Sequence, residues 1–298
     1  MLFNTSNIST DKISNDLLEQ KNVSISVVRL DKIHPIVSGN KLFKLHYFLE
    51  EAIRLSLPGI LTFGGAYSNH LVATAYACKI ARLKSIGFVR GERAEKLSPT
   101  LIACIEYGME LHFISREEYA KKEEKYFISR LSNEEKKYLV VPEGGYHPKG
   151  AAGAALITGF IDESTTHICT ALGTATTLAG IISHANENQQ VIGVPALKGM
   201  TDVTDRVHYL TGRTSTFILL ENYHFGGYSK KTPELIAFMN HLYDQYQLPT
   251  DFIYTAKMMF AILDCAEKGY FAPGSKITCL HTGGLQGNLS LPAGSLIF

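Results

Sequence analysis

Lys41 lies in the segment Ser38-Gly39-Asn40-Lys41, at the first turn of an amphipathic helix. A helix start carries partial positive charge, so an ammonium there is disfavoured and its pKa should fall. A neutral lysine is what imine chemistry with a carbonyl group requires. Taken alone, a lysine near a helix start is usually an ordinary surface residue, so its neighbours must decide. Lys44 falls three positions on, on the same helix face, and can counter a phosphate charge. Ser68-Asn69-His70 follows Gly64-Gly65 and opens another helix. Ser and Asn cap helices well, and the free N–H groups behind such a cap suit a carboxylate. A capped helix with no ligand explains these three residues equally well. Gly173-Thr174-Ala175-Thr176-Thr177 offers successive N–H groups and three hydroxyls, a plausible phosphate cup. It lacks a P-loop lysine, and no G-x-G-x-x-G fingerprint occurs, so a small phosphorylated cofactor suits it better than a nucleotide. A merely polar turn is the plain alternative. Glu143-Gly144-Gly145 and His281-Thr282-Gly283-Gly284 complete the set of polar, glycine-rich turns.

These turns must be held by regular elements. Short apolar runs rich in Val, Ile and Phe predict strands over Ser24–Leu30, Gly59–Phe63, Ser85–Val89, Glu110–Ile114, Tyr138–Val141, His167–Ala171, Gln190–Pro195, Thr216–Leu220 and Lys276–His281. Runs such as Ile60-Leu61-Thr62-Phe63 are apolar on both faces, as buried parallel strands are. Helical spacing predicts helices over Lys41–Arg54, Leu71–Leu83, Thr100–Tyr107, Glu117–Leu131, Ala151–Phe160, Thr177–Ala185, Pro233–Tyr246 and Met258–Lys268. Alternation of the two implies an α/β fold, with mostly parallel sheets flanked by helices. In such folds ligands bind where strands end, which is where the polar turns fall.

Composition narrows the function classes. The 298 residues carry a formal net charge of +1, and 45% are apolar. No concentrated basic face points to nucleic acid. Lys121, Lys122 and Lys125 are interleaved with acids and read as a solvated face. The N-terminal stretch has no basic start followed by an apolar run, so no secretory signal is expected. The blandest stretch, residues 150–161, is too short to span a membrane. Cys78, Cys104, Cys169, Cys265 and Cys279 sit apart with no C-x-x-C pair, which argues against zinc and redox motifs and for buried thiols in a cytoplasmic protein.

The ordered set resembles the 1-aminocyclopropane-1-carboxylate (ACC) deaminase/D-cysteine desulfhydrase family of pyridoxal 5'-phosphate (PLP) enzymes, which are tryptophan-synthase-β-like and of fold type II. The resemblance rests on Ser38-Gly39-Asn40-Lys41 with Lys44-Leu45, Gly64-Gly65, Ser68-Asn69-His70, the threonine turn, Tyr254-Thr255-Ala256-Lys257 and His281-Thr282-Gly283-Gly284. It implies that Lys41 is the Schiff-base lysine and that Lys44, Thr174, Ala175, Thr176 and Thr177 hold the phosphate. It implies that Asn69 meets the cofactor's ring hydroxyl and Thr282 its pyridine nitrogen. Ser68, Asn69 and His70 are expected to hold the substrate carboxylate, and Tyr228 and Tyr254 match the family's two active-site tyrosines. A small domain over 46–146, inserted into a large domain of 1–45 and 147–298, is expected, as is a homodimer acting on a small amino acid.

Within that family, ACC deaminases carry Glu after the second tyrosine and Leu after the final His. Here those positions are Thr255 and Thr282, which resembles the D-cysteine desulfhydrase branch and places Thr255 beside the substrate. A carboxylate near the pyridine nitrogen would strengthen the ring as an electron sink, which opening a cyclopropane needs more than loss of hydrosulfide does. The chain departs from the family pattern in its short segment before Arg29, in Ala256 for glycine and in Phe43 for arginine. Leu178 and Leu285 are further candidates to reshape the pocket.

Overall fold

The computed structural model describes residues 3–124, 126–127 and 138–298. Six strands form one sheet in the order β1 (Thr10–Ile13), β2 (Ser24–Arg29), β10 (Lys276–His281), β7 (His167–Leu172), β8 (Gln190–Pro195) and β9 (Ile218–Leu219). All neighbours run parallel except β1, which pairs antiparallel with β2 at the edge. A second sheet is wholly parallel, in the order β5 (Met109–Ile114), β4 (Lys84–Arg90), β3 (Gly59–Gly64) and β6 (Leu139–Val141). Parallel neighbours need crossover connections, and helices supply them. Helix α2 (Asn40–Arg54) carries the chain from the first sheet to the second, where α3 (Asn69–Ile80) and α4 (Pro99–Glu106) cross between strands. The expected α/β architecture of mostly parallel sheets is therefore present.

Strand faces explain why the apolar runs are continuous. In β3, Ile60 enters the largest core cluster while Leu61 and Phe63 pack on the other face against Tyr119. In β7, Ile168 and Leu172 face that same large cluster, and Cys169 and Ala171 face the opposite one. The large cluster runs from Val28 and Leu280 of one sheet to Ile60 and Val141 of the other. Helix α2 is unbroken across residues 45 and 46, where the domain boundary was expected. It packs on both α3 and α6 (Pro148–Ala155). Gly153 of α6 lies so close to the Phe43 carbonyl that a Cβ could not be accommodated.

Several elements differ from expectation. Strand β1 and helix α1 (Asp16–Gln20) were not foreseen; β1 is an edge strand that buries only Ile13, so it carries little apolar signal. Helix α8 (Val203–Thr211) was also missed, although Val203, Val207 and Leu210 form its buried stripe, whereas the next helix, α9 (Pro233–Tyr246), has the expected bounds. The strand expected over Thr216–Leu220 shrinks to β9, an edge pair on β8. The helix expected over Ala151–Phe160 begins at Pro148, capped by His147, and tightens to a 3-10 turn over Leu156–Phe160. Of the helix expected over Glu117–Leu131, α5 (Arg116–Ala120) is described, closed at its start by a Ser115–Glu118 capping box. The remainder of that expectation falls partly on residues 125 and 128–131, outside the described residues. Among the described residues no helix is long and apolar enough to cross a membrane, and no His, Cys, Asp and Glu cluster could hold a metal. All five cysteines are buried and free.

Candidate active site

The lysine segment and the last glycine-rich segment form one unit. Gly39 has φ +84, and a Cβ there would collide with the Thr282 carbonyl oxygen. The Asn40 N–H donates to that carbonyl at 3.0 Å, and the Gly284 N–H donates to the Ser38 hydroxyl at 3.0 Å. The C-terminal end of β10 thus fixes the start of α2. Lys41 Nζ donates to Asn40 Oδ1 at 2.8 Å, while Asn40 Nδ2 donates to Thr177 Oγ1 at 2.7 Å. One buried amide therefore links the lysine to the threonine turn. Burial draws the Lys41 amine from 10.5 down to about 8, against the opposing pull of the Asp251 carboxylate.

The threonine turn sits at the end of β7. Ala175 is left-handed, with φ +61, and stands immediately before α7 (Thr176–Ile182). The Thr174 and Thr176 hydroxyls lie 2.8 Å apart. A Cβ on Gly144 would come within 3.1 Å of Thr174, so the Glu143-Gly144-Gly145 turn closes against the same place. Lys44 reaches in from α2, its Nζ 3.4 Å from the Gly144 carbonyl. It is only 4% exposed and has no ion-pair partner among the described residues. Burial, then the Lys41 charge, holds its pKa well below the ordinary value. A buried cation with one long bond to a carbonyl is costly unless an anion joins it.

On the small-sheet side, Ser68 caps α3 by accepting from the Leu71 N–H at 3.2 Å. The Asn69 and His70 amides are the first of that helix and have no intrahelical acceptor. Asn69 Nδ2 donates to the Gly284 carbonyl at 3.0 Å, tying α3 to the unit described above, and its Oδ1 is buried without a partner. The imidazole of His70 is buried and engaged by the small sheet. Its Nε2 lies 2.9 Å from Thr62 Oγ1, whose proton goes to the Val141 carbonyl, so the ring ties α3 to β3 and the threonine ties β3 to β6. Burial, then Lys41 and Lys44, brings His70 to about 3 and keeps it neutral. Its Nδ1 is buried without a partner.

The two tyrosines stand together, ring centroids 6.2 Å apart and edge to face. Tyr254 lies over Gly173, where a Cβ would come within 3.1 Å of its ring. Burial raises both phenols, Tyr254 far above its ordinary value, so both carry their protons near neutral pH. Tyr228 is 48% exposed and forms the outer wall. Thr255, expected beside the substrate, is fully buried with its hydroxyl engaged at its own helix start. Its hydroxyl donates to Asp251 Oδ1 at 2.7 Å and accepts from the Asp251 N–H at 2.8 Å. Asp251 also accepts from the N–H groups of Ile253, Tyr254 and Thr255. Both residues close the start of α10 (Thr255–Glu267), and the threonine's hydrogen-bonding capacity is engaged there. The Thr282 hydroxyl, by contrast, has no protein partner among the described residues, although its backbone is fixed by Asn40. Phe43 and Leu178 are fully buried in the core, Phe43 edge to face with Phe3 and Phe160, so neither shapes the opening.

Residues not singled out from sequence also belong here. Asn40 and Asp251 are the foremost; an acidic residue four positions before Thr255, ahead of an apolar run, was a readable helix-start signal. Lys122, read as a solvated residue, lies over the Tyr119 ring and 3.5 Å from Glu143. Lys125 lies outside the described residues.

The family model of pyridoxal-phosphate dependent enzymes matches residues 12–283. The chain belongs to this family. It is 29% identical to a Thermotoga maritima protein provisionally named 1-aminocyclopropane-1-carboxylate deaminase, over 91% of this chain and 92% of that relative. It is 26% identical to the Arabidopsis thaliana mitochondrial bifunctional D-cysteine desulfhydrase/1-aminocyclopropane-1-carboxylate deaminase, over 84% of this chain and 70% of that relative. A crystal structure of an ACC deaminase homologue superposes with a TM-score of 0.79 at 25% identity, covering 95% of this chain and 90% of that one. The expected family, fold type and cofactor therefore hold. The site fits PLP on its own chemistry. Lys44 is a buried cation in want of an anion beside a hydroxyl turn, Asn69 Oδ1 is a buried acceptor in want of a donor, and Lys41, on the same helix as Lys44, is an amine with a depressed pKa.

Proposed function

We propose that the chain is a PLP-dependent lyase that removes the β-substituent of a small amino acid, with D-cysteine as substrate. Water is consumed, and pyruvate, hydrogen sulfide and ammonia are released. The cofactor, when bound through Lys41, supplies an electron sink for the charge that develops at the substrate's α-carbon. Lys44 and residues 174–177 hold its phosphate, Asn69 its ring hydroxyl, and Thr282 faces its ring nitrogen. Ser68 and the amides of Asn69 and His70 receive the substrate carboxylate. Freed Lys41, its amine pushed towards the neutral form by burial, takes the α-proton. Tyr254 and Tyr228, protonated, deliver a proton to the departing sulfur. We further assign residues 46–146 to a small domain that closes on the large one and excludes water.

The observation that carries the choice of substrate is the free hydroxyl of Thr282 at the position where a leucine marks the cyclopropane-opening branch. Position 255 likewise carries threonine and not the glutamate of that branch. The names of the relatives favour a second reading, ACC deamination. Assay of the PLP-loaded protein separates the two. D-cysteine should give pyruvate and sulfide in equal amounts, and ACC should give no 2-oxobutyrate. Formation of 2-oxobutyrate from ACC, with no sulfide from D-cysteine, would overturn the first reading.

A further inference from the structure

Lys257 is fully buried on α10, and among the described residues no carboxylate comes within ion-pair distance of it. Its Nζ donates to the Gly227 carbonyl at 2.8 Å and lies 3.4 Å from the Ala196 carbonyl. Gly227 immediately precedes Tyr228, and Ala196 immediately follows β8. The ammonium therefore sits where the end of a central strand, the tyrosine loop and α10 meet. That loop is conformationally expensive. Phe225 and Ser229 are left-handed, with φ of +49 and +56, while Gly226 and Gly227 take their φ of +90 and +114 without strain. Backbone of this kind persists only when its surroundings over-determine it. A methionine would fill the same elongated space without desolvating a charge, so the stability of the fold does not account for a lysine there.

We propose that Lys257 is a positioning residue that holds the Tyr228 loop against α10, so that Tyr228 and Tyr254 are set by a single helix. Tyr254 immediately precedes α10 and is three positions upstream of Lys257, so both are anchored at the start of that helix. One ammonium thereby fixes the separation of the two phenols, while Tyr228 itself remains at the surface of the opening. The inference rests on the reading that Tyr228 acts on the substrate.

Lys257→Met and Lys257→Gln, each made with Tyr228 and with Tyr228→Phe, test it. Hydrogen exchange of peptides covering 224–230 is followed in cofactor-free protein, and elimination kinetics in loaded protein. Lys257→Met should speed exchange in that segment by about tenfold, with the rest of the chain unchanged. It should lower kcat by about 10- to 100-fold with little change in KM or in cofactor absorbance, because the phenol is displaced rather than removed. Lys257→Gln, which retains a donor, should fall between. In the Tyr228→Phe background the same change should cost less than about twofold, since coupled residues are not additive. Equal losses in both backgrounds, or unchanged exchange at 224–230, would overturn the clamp. Full activity of Tyr228→Phe would instead overturn the role given to Tyr228, and the exchange measurement would still decide whether Lys257 holds the loop. If Lys257→Met does not fold, the exchange and kinetics of Lys257→Gln decide the matter by the same criteria.

Discussion

The amine of Lys41 is the group whose state can be tested most directly, without cofactor or substrate. Burial brings it from 10.5 to about 8, and Asp251 limits the fall. At pH 7.5, about one Lys41 in four would then be the free base, against about one in a thousand for a lysine at its ordinary value. That is a gain of about 250-fold in nucleophile before any substrate arrives. Competitive acetylation of the cofactor-free protein, with peptides quantified by mass spectrometry across pH 6 to 11, reads this directly. Labelling of Lys41 should rise with pH and level off with a midpoint near 8. Lys268 is the internal contrast, because its bond to Asp264 pushes its pKa above the ordinary value. In Asp251→Asn the carboxylate that favours the charged amine is gone, so the Lys41 midpoint should move below 8. The same variant loses one of the acceptors at the start of α10 and should be less stable by about 1 kcal/mol, as for other lost caps. A wild-type midpoint near 10 would refute the argument from burial. A midpoint unmoved in Asp251→Asn would refute the place given to Asp251.

Stability should respond to pH through the same groups. Lys41 and Lys257 both fall from 10.5 to about 8, so between those values the unfolded chain holds more protons than the folded one. The penalty is complete below about 8 and is lost as pH rises towards 10.5, so stability rises across that window. Urea unfolding at pH 7.5 and 9.5 should show a larger gain for wild type than for a Lys41→Met, Lys257→Met double variant, and equal gains would contradict it. Lys44→Met should weaken binding of PLP by about 10- to 100-fold while hardly changing that of pyridoxal, which lacks the phosphate; fluorescence titration compares the two. Gly39→Ala must place a Cβ against the Thr282 carbonyl at φ +84. It should abolish cofactor retention on gel filtration, and a variant that retains PLP normally would show that this junction does not set the site.

The frame of the site was legible in sequence because it depends on backbone requirements that particular residues announce. Gly39, Gly283 and Gly284 stand where two segments touch without room for side chains, and Ser68 closes a helix start as its type suggests. The large central strands were legible because burial on both faces makes them continuous apolar runs. What was not legible depends on which residues, distant in the chain, meet. Lys44 and Gly144 are 100 positions apart, as Lys257 and Gly227 are 30 apart, and neither spacing has a sequence signature. Edge strand β1 and the partly exposed helix α8 bury too little to stand out.

Thr255 illustrates the limit most sharply. Its place after Tyr254 was readable, but the pairing of its hydroxyl with Asp251, across an irregular helix start, was not. The geometry around it yields a prediction that separates the two threonines. A glutamate at 255 would displace the hydroxyl from Asp251 and bring a second carboxylate to the start of α10, where Asp251 already accepts four hydrogen bonds. Thr255→Glu alone should therefore cost stability, about 1–3 kcal/mol by thermal or urea unfolding, with no new ACC activity. Thr282→Leu removes a hydroxyl that no protein group uses, so the protein should keep its stability and instead lose activity on D-cysteine through a changed contact at the cofactor ring. If Thr255→Glu proves as stable as wild type and gains ACC activity by itself, then the Asp251–Thr255 pair is not what holds this end of α10, and the ring nitrogen is within reach of residue 255 after all.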